Sequence, residues 1–194
     1  MAIEEPAFEV IKTEGDVELR HYSPFIIAET FIKEAKSRNA ASNTGFRRLF
    51  NYITGDNSNQ EKIAMTAPVI QADEKAKGVK IDMTAPVQQK QTDNEWQIAF
   101  VLPDNFTMDT APIPSDPTIK LRQVEPRTMA VLRFSGRWSD KNIRKHEDLL
   151  LTQLAAMDLR LIGETEFAAY NAPFALPFMR RNEVMIEVQT IDQQ

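Results

Sequence analysis

Two histidines, His21 and His146, are the side chains of this chain best suited to metal ligation or proton transfer near neutral pH. A metal site built on them would need carboxylate ligands as well. The acidic residues are abundant but scattered, which is typical of a solvated surface. The sequence contains no cysteine, no Gly-X-Ser-X-Gly motif and no glycine-rich phosphate loop. These patterns favour a binding protein over an enzyme.

The two histidines differ in their surroundings. Val17–Tyr22 alternates as a β-strand does, so Val17, Leu19 and His21 share one face while Glu18, Arg20 and Tyr22 share the other. His21 is therefore expected on a face with apolar neighbours. His146 lies between charged residues of a predicted helix, and we expect it on the helix surface.

Apolar residues with basic neighbours form a second candidate site. Phe46 and Phe50 lie one turn apart on a predicted helix, with Arg47 and Arg48 beside them. Near the C-terminus, the proline-rich apolar stretch 172–179 is followed by Arg180 and Arg181. Apolar walls with a few convergent polar groups are what a ligand site requires. The alternative is that these aromatic residues simply complete the core.

These candidates must be positioned by a mixed set of strands and helices. Alternation, apolar stripes and turn residues predict strands at 8–13, 17–22, 25–32, 62–69, 80–87, 96–102, 119–124, 128–134, 165–170 and 183–188. Helices are predicted at 37–53 and 139–157, and the four prolines of 103–117 predict an irregular link.

The second half of the chain repeats the order of the first. Leu19, Arg20, Pro24 and Ala28 each recur 102 positions later, whereas His21 is replaced by Gln123. The repeat predicts a strand–strand–helix–strand–strand unit that occurs twice. We expect an α+β fold in which a distorted antiparallel β-barrel is flanked by two helices.

Composition limits the classes of function. The 194 residues are 42% apolar, enough for one sizeable core, and the net charge of −5 argues against nucleic-acid binding. No run of about 20 apolar residues is present, so we expect no membrane span. The N-terminus lacks the features of a signal peptide, which favours a cytoplasmic protein.

Five stretches of this chain resemble the SOUL haem-binding family. They are Leu19–Pro24, Asn51–Gly55, Lys62–Val69, Tyr170–Pro173 and Arg181–Val184. The resemblance covers about residues 7–188. It implies a single SOUL-like domain over 7–190, built from pseudo-symmetric halves at about 7–102 and 118–190. It also implies a fold similar to that of bacterial effector-binding domains.

The resemblance further implies reversible, non-covalent binding of haem or another tetrapyrrole, by either of two arrangements. In one, His21 is the axial ligand of the haem iron. In the other, the porphyrin lies in an apolar cleft between the first helix and the loop before the last strand. The positions expected in that cleft are Asn43, Phe46, Phe50, Asn51 and Leu176. Arg47, Arg48, Arg180 and Arg181 are the candidates to pair with the propionates.

The leading hypothesis is therefore a tetrapyrrole-binding carrier, buffer or sensor. This sequence has asparagines and Leu176 where basic residues are expected in the family's cleft. That departure motivates an alternative, a sensor of other flat hydrophobic molecules. An enzyme acting on a tetrapyrrole is a third hypothesis. Protein partners stay open.

Overall fold

The computed structural model describes residues 5–58, 86–92, 95–171 and 175–190. The strands are β1 (Phe8–Glu14), β2 (Val17–Tyr22), β3 (Phe25–Lys33), β4 (Asn57–Ser58), β5 (Val87–Thr92), β6 (Glu95–Val101), β7 (Ile113–Pro114), β8 (Ile119–Val124), β9 (Arg127–Phe134), β10 (Leu159–Ala169) and β11 (Asn182–Thr190). The helices are α1 (Arg38–Ile53), α2 (Asp140–Leu154) and a short 3₁₀-helix (Pro177–Met179).

Nine of these strands form one antiparallel sheet in the order β1-β2-β9-β11-β10-β5-β6-β3-β8. The short strands β4 and β7 pair separately. This architecture confirms the predicted α+β class with a large antiparallel sheet and two helices. Within the described residues the ladder runs from β1 to β8 without closing on itself, so the barrel stays a prediction.

The sheet order from β2 to β8 reflects the internal repeat. If each strand of the first half is exchanged with its counterpart in the second half, the same order results, read in the opposite direction. The exchange pairs β2 with β8, β3 with β9, β5 with β10 and β6 with β11. From β2 to α1 the partners lie 102 positions apart, whereas β6 and β11 begin at Glu95 and Asn182, 87 positions apart. The proposed duplication requires this symmetry. The smaller offset of the last strands means that the first half contains a longer connection than the second.

Both helices cover the same face of the sheet, which we call the helix face. Residues opposite each other in register point to the same side. One register row contains Val17, Leu132, Val184, Phe167 and Ile98. The first four of these pack with α2, and the last packs with α1. The helices therefore lie side by side, α1 on β3 and β6 and α2 on β9, β10 and β11.

Each helix begins where a serine can cap it. The side chains of Ser37 and Ser139 accept hydrogen bonds from backbone N–H groups in the first turns of α1 and α2. Arg38 then links the helices, because its guanidinium lies 3.3 Å from Asp140 and 3.7 Å from Glu147. These contacts fix the position of α1 relative to α2.

The opposite face of the sheet, here called the inner face, is also buried. Tyr22 of β2 contacts Phe25 of β3, with ring centroids 6.3 Å apart, although five strands separate β2 from β3 in the ladder. The sheet must therefore curl around this face. Met129 and Met185 are buried beside these aromatic rings.

Three predicted boundaries were wrong. The strand predicted to end at Val87 instead begins there and continues to Thr92 as β5. Helix α2 ends at Leu154 instead of Met157, because a turn closes there with Met157 N–H donating to the Leu154 carbonyl. Strand β10 begins at Leu159 instead of residue 165, because residues 159–162 also pair with β11. The register shifts between Ile162 and Glu166, where Gly163 (φ +71°) adopts a left-handed conformation. The predicted strand 62–69 and most of 80–87 lie outside the described residues. Among the residues described, no helix is both long and apolar enough to cross a membrane.

Candidate functional site

Helix α1 carries most of the predicted site residues, and its packing decides which of them face outward. Its buried side presents Gly45 and Leu49 to the sheet. A Cβ on Gly45 would lie 2.5 Å from Ile98 Cγ1, so the helix backbone approaches β6 closely there. The ridge Ser42, Phe46 and Phe50, spaced at i, i+4 and i+8, consequently lies along the flank of the helix.

This flank is placed over β5 and β6. Gln89 of β5 donates to Ser42 Oγ at 2.6 Å. Phe46 packs edge-on against Phe100 of β6, with ring centroids 5.3 Å apart. Phe50 lies one turn further along, where it is 38% exposed. The ridge therefore begins with the partly buried polar contact of Ser42 and ends with the exposed aromatic ring of Phe50.

Phe46 and Phe50 form a parallel aromatic pair. Their ring centroids lie 5.8 Å apart and their planes differ by 14°. Phe46 belongs to the edge of the core, as the alternative interpretation of the sequence expected, whereas Phe50 is largely outside it. An exposed ring held parallel to a fixed one offers a flat apolar surface to a planar molecule.

Polar and basic side chains surround this pair on α1. Asn43, Arg47 and Asn51 are exposed. Arg48 points elsewhere, since it donates to Thr30 Oγ1 of β3 at 3.2 Å. Arg47 is thus the arginine of α1 that can meet a negatively charged group beside Phe50.

The loop before β11 carries the other predicted residues. Leu176 is 55% exposed and precedes the 3₁₀-helix, which presents Phe178 to solvent. Gly136 of the β9–α2 turn donates to the carbonyl of Pro177 at 2.9 Å. Arg180 lies 4.4 Å above the Trp138 ring and donates to the Ala175 carbonyl. These contacts anchor Arg180 near the start of α2, while Leu176 stays accessible.

His21 lies apart from the α1 flank. The alternation was correct for Val17 and Leu19, which are buried against α2, but His21 is exposed at the end of β2. Its Nδ1 lies 3.1 Å from Thr128 Oγ1 of β9. Since α1 packs on β3 and β6, the structure groups His21 with the other half of the helix face. His146, predicted on the helix surface, is half-buried and stacks on Phe134.

Sequence reasoning missed a buried ionic network on the inner face, which we call the Glu183 network. Glu183 is fully buried and accepts hydrogen bonds from Arg20 at 3.0 Å, from Arg181 at 3.0 Å and from Tyr170 at 2.6 Å. Burial raises the pKa of the Tyr170 phenol well above its usual range, and the adjacent carboxylate adds to the effect. Burial also raises the pKa of Tyr22, which lies 3.4 Å from Arg20.

Two further buried carboxylates were expected on the surface and lie on the inner face instead. Glu166 forms a two-pronged pair with Arg127, at 2.9 and 3.1 Å. Glu29 pairs with Arg122 at 3.1 Å. The signal in the sequence was the recurrence of arginine at the same strand position in both repeats, Arg20 and Arg122. In the described part of the chain, no cluster of three or more histidine and acidic side chains is placed to hold a metal ion.

Comparisons with known proteins agree on the family and the fold. The family model described as SOUL heme-binding protein matches residues 3–187. Human Heme-binding protein 2 is 29% identical over 174 residues, which cover 89% of this chain and 78% of the relative. Two solved structures share the fold. A protein titled a hydrolase from Listeria innocua has a TM-score of 0.53, 12% identity and coverage of 92% of this chain and 94% of its own. The EcmrR C-terminal domain has a TM-score of 0.56, 9% identity and coverage of 90% and 98%.

Proposed function

The chain belongs to the SOUL heme-binding protein family, and we propose that it binds haem or a related tetrapyrrole reversibly on the flank of α1. The observation that supports this site is the parallel pair of Phe46 and Phe50, whose outer ring is exposed beside Arg47. The sequence contains no cysteine, so no thioether bond to haem can form, and the proposed binding is non-covalent. Reversible binding suits a carrier, a buffer or a sensor.

The residues on this flank fit two parts of a haem molecule. The flat macrocycle needs an apolar surface, which the exposed ring of Phe50 supplies, whereas Leu176 lies on a loop held at the β9–α2 turn. The propionates need cationic or hydrogen-bonding partners, which Arg47, Asn43 and Asn51 can provide. The residues of this flank offer no imidazole, so the proposed site holds the macrocycle and leaves the iron without a histidine ligand.

The proposed roles follow from these positions. Phe50 stacks on one face of the macrocycle and excludes water from it, while Phe46 fixes the orientation of Phe50. Arg47 pairs with a propionate at the solvent edge. Arg180 is held over Trp138, so we assign it to anchoring the loop that carries Leu176 rather than to direct contact with a propionate.

The direct test is a haemin titration of the wild type and of Phe50→Ala, followed at the Soret band. We expect saturable binding by the wild type and about tenfold weaker binding by the variant, which loses one aromatic stacking surface. Phe31→Ala is the matched control, because Phe31 is 36% exposed on β3, close to the 38% of Phe50, but points to the inner face. Equal losses in both variants would remove the α1 flank as the site.

A second experiment separates haem from neutral flat ligands, the alternative that the exposed amides of Asn43 and Asn51 favour. Arg47→Gln should weaken the binding of haemin but not of haemin dimethyl ester, which has no propionate charge. If the wild type binds the ester at least as tightly as haemin, the ligand class is a neutral aromatic molecule.

The iron-ligand role of His21 requires its own test, because this residue lies apart from the α1 flank. Iron-free protoporphyrin and haemin should bind with similar affinity if the flank alone holds the macrocycle. His21→Ala should then leave the spectrum of bound haemin unchanged. A shifted Soret band in this variant would support ligation by His21 and a second mode of binding.

A further inference from the structure

A pocket of about 260 Å³ lies where the turn between β2 and β3 meets the end of β6. Residues just before β1 and near the end of β8 also line it, and β1 and β8 are the two edge strands of the sheet. None of the described residues that line it belongs to α1 or to the loop before β11, so the pocket is separate from the proposed tetrapyrrole site. Its walls are largely apolar, and their large side chains are Phe25, Ile26, Leu102, Phe106 and Met108.

Hydrogen bonds hold the two walls of this pocket in place. In the segment before β1, the Ala7 carbonyl accepts a hydrogen bond from Ser23 N–H at 3.0 Å. In the loop after β6, Thr107 N–H donates to Thr110 Oγ1 at 2.8 Å, and the Thr107 hydroxyl lies 3.1 Å from the same oxygen. The pocket is therefore formed before any ligand enters, which lowers the entropic cost of binding.

The other polar side chains of the described lining also have partners already. Both carboxylate oxygens of Glu5 accept hydrogen bonds from Arg181, at 2.7 and 3.0 Å. The Gln123 amide donates to Glu125 at 3.2 Å, and Asp104 is likewise engaged. The surface that stays in contact with water without a partner is therefore the apolar part of the lining.

The size and polarity of the pocket limit the class of ligand. No lysine, arginine or histidine is found among the described lining residues, so an anion would lose its hydration without gaining a counter-charge. A cation would have to compete with Arg181 for Glu5. An apolar cavity of about 150 Å³ admits benzene, and pockets for drug-sized ligands begin at about 300 Å³. A volume between these limits suits one or two rings, whereas a tetrapyrrole needs more room.

We propose that this pocket binds an uncharged apolar molecule of one or two rings, independently of the tetrapyrrole site. The ligand covers apolar surface of Phe25, Phe106 and Met108, of which Met108 is 38% exposed without it. The ion pair of Glu5 and the hydrogen bond of Gln123 stay intact in the complex. Binding therefore depends on the burial of apolar surface, and a charge on the ligand opposes it.

Isothermal titration of the full chain with 2-naphthalenemethanol, 2-naphthoate and 2-naphthylmethylamine tests this preference. The three probes share two fused rings and are neutral, anionic and cationic at pH 7. We expect saturable binding of the alcohol and at least about tenfold weaker binding of both charged probes. Equal binding of all three, tighter binding of either charged probe, or no saturable binding of the alcohol would overturn the proposal.

Variants locate the binding in the pocket. Met108→Ala removes part of one wall and should weaken binding of the alcohol about fivefold. Met179→Ala is the matched control, because it removes an exposed methionine from the 3₁₀-helix, outside the pocket, and should leave the affinity unchanged. Ala7→Phe should abolish binding by filling the pocket. Equal losses in both methionine variants, or wild-type binding by Ala7→Phe, would contradict the site.

A competition experiment separates this proposal from the tetrapyrrole site. The affinity for 2-naphthalenemethanol should be the same with and without saturating haemin, because the two sites share no described residue. Displacement of the alcohol by haemin would overturn the separate location. Binding of the alcohol by a protein that fails to bind haemin would uphold this inference while refuting the proposed function.

Discussion

Replacing Glu183 by glutamine is expected to lower the free energy of unfolding by about 3–5 kcal/mol, the cost of breaking a buried ion pair. The carboxylate is fully buried, and each of its oxygens accepts hydrogen bonds. One oxygen faces Arg181, and the other faces Arg20 and Tyr170. A glutamine keeps the shape but turns one of these oxygens into an NH₂ donor that meets other donors.

The magnitude follows from what the substitution leaves behind. Two guanidinium groups lose their shared counter-charge, and the side chain of Arg20 is 5% exposed, so water cannot replace the lost partner there. A domain of this kind has a total stability of about 5–15 kcal/mol, so the loss removes a large fraction of it.

Urea unfolding followed by far-UV circular dichroism measures the effect, with Glu29→Gln as the matched control. Glu29 is also buried and also accepts a hydrogen bond from the Gln97 amide, but its charged partner Arg122 is 49% exposed and can be hydrated. We expect the control to cost about 1–2 kcal/mol. If Glu183→Gln costs no more than Glu29→Gln, the buried network does not stabilise the fold in the way argued.

Two more predictions follow from the packing of α1 and from the buried phenols. Gly45→Ala gains about 1 kcal/mol of helix propensity, but the new methyl group must displace Ile98 at a cost of about 1–3 kcal/mol. Urea unfolding should therefore show a net loss of stability. A net gain would contradict the close approach of α1 to β6. Burial raises the pKa values of Tyr22 and Tyr170 in the folded state. The stability that these two phenols confer is therefore complete below about pH 10, where unfolded tyrosines titrate. It is lost as the pH rises further. Unfolding free energies measured from pH 8 to 11.5 should therefore fall at the alkaline end, and less steeply for Tyr170→Phe; identical slopes would refute this linkage.

The sequence predicted the elements from β2 to α1 well because their signals are local. The alternation of 17–22 and the capping serine at 37 act within a few residues, and the observed boundaries lie within one residue of the predicted ones. The ends of α2 and β10 were less predictable. They depend on the turn after Leu154 and on the register shift at Gly163, which only pairing with β11 reveals.

The buried ions could not be predicted from local patterns. Arg20 and Glu183 are separated by 163 positions, and each alone resembles a solvated surface charge. Their burial depends on the curl of the sheet, which no single strand encodes. The same applies to His21, because alternation assigns its face but not its exposure at the end of β2.

The internal repeat helps to distinguish the residues of α1 that the fold needs for packing from those that are available for binding. An offset of 102 places Asp148 and Thr152 of α2 at the positions of Phe46 and Phe50, and both are exposed. Helix α2 covers its half of the sheet with those polar residues, so the fold does not require an aromatic ring at either position. Phe46 nevertheless packs against Phe100, whereas Phe50 stays 38% exposed. An exposed aromatic ring that the equivalent helix lacks is what the proposed tetrapyrrole site predicts, and this makes Phe50 a more informative residue to mutate than His21.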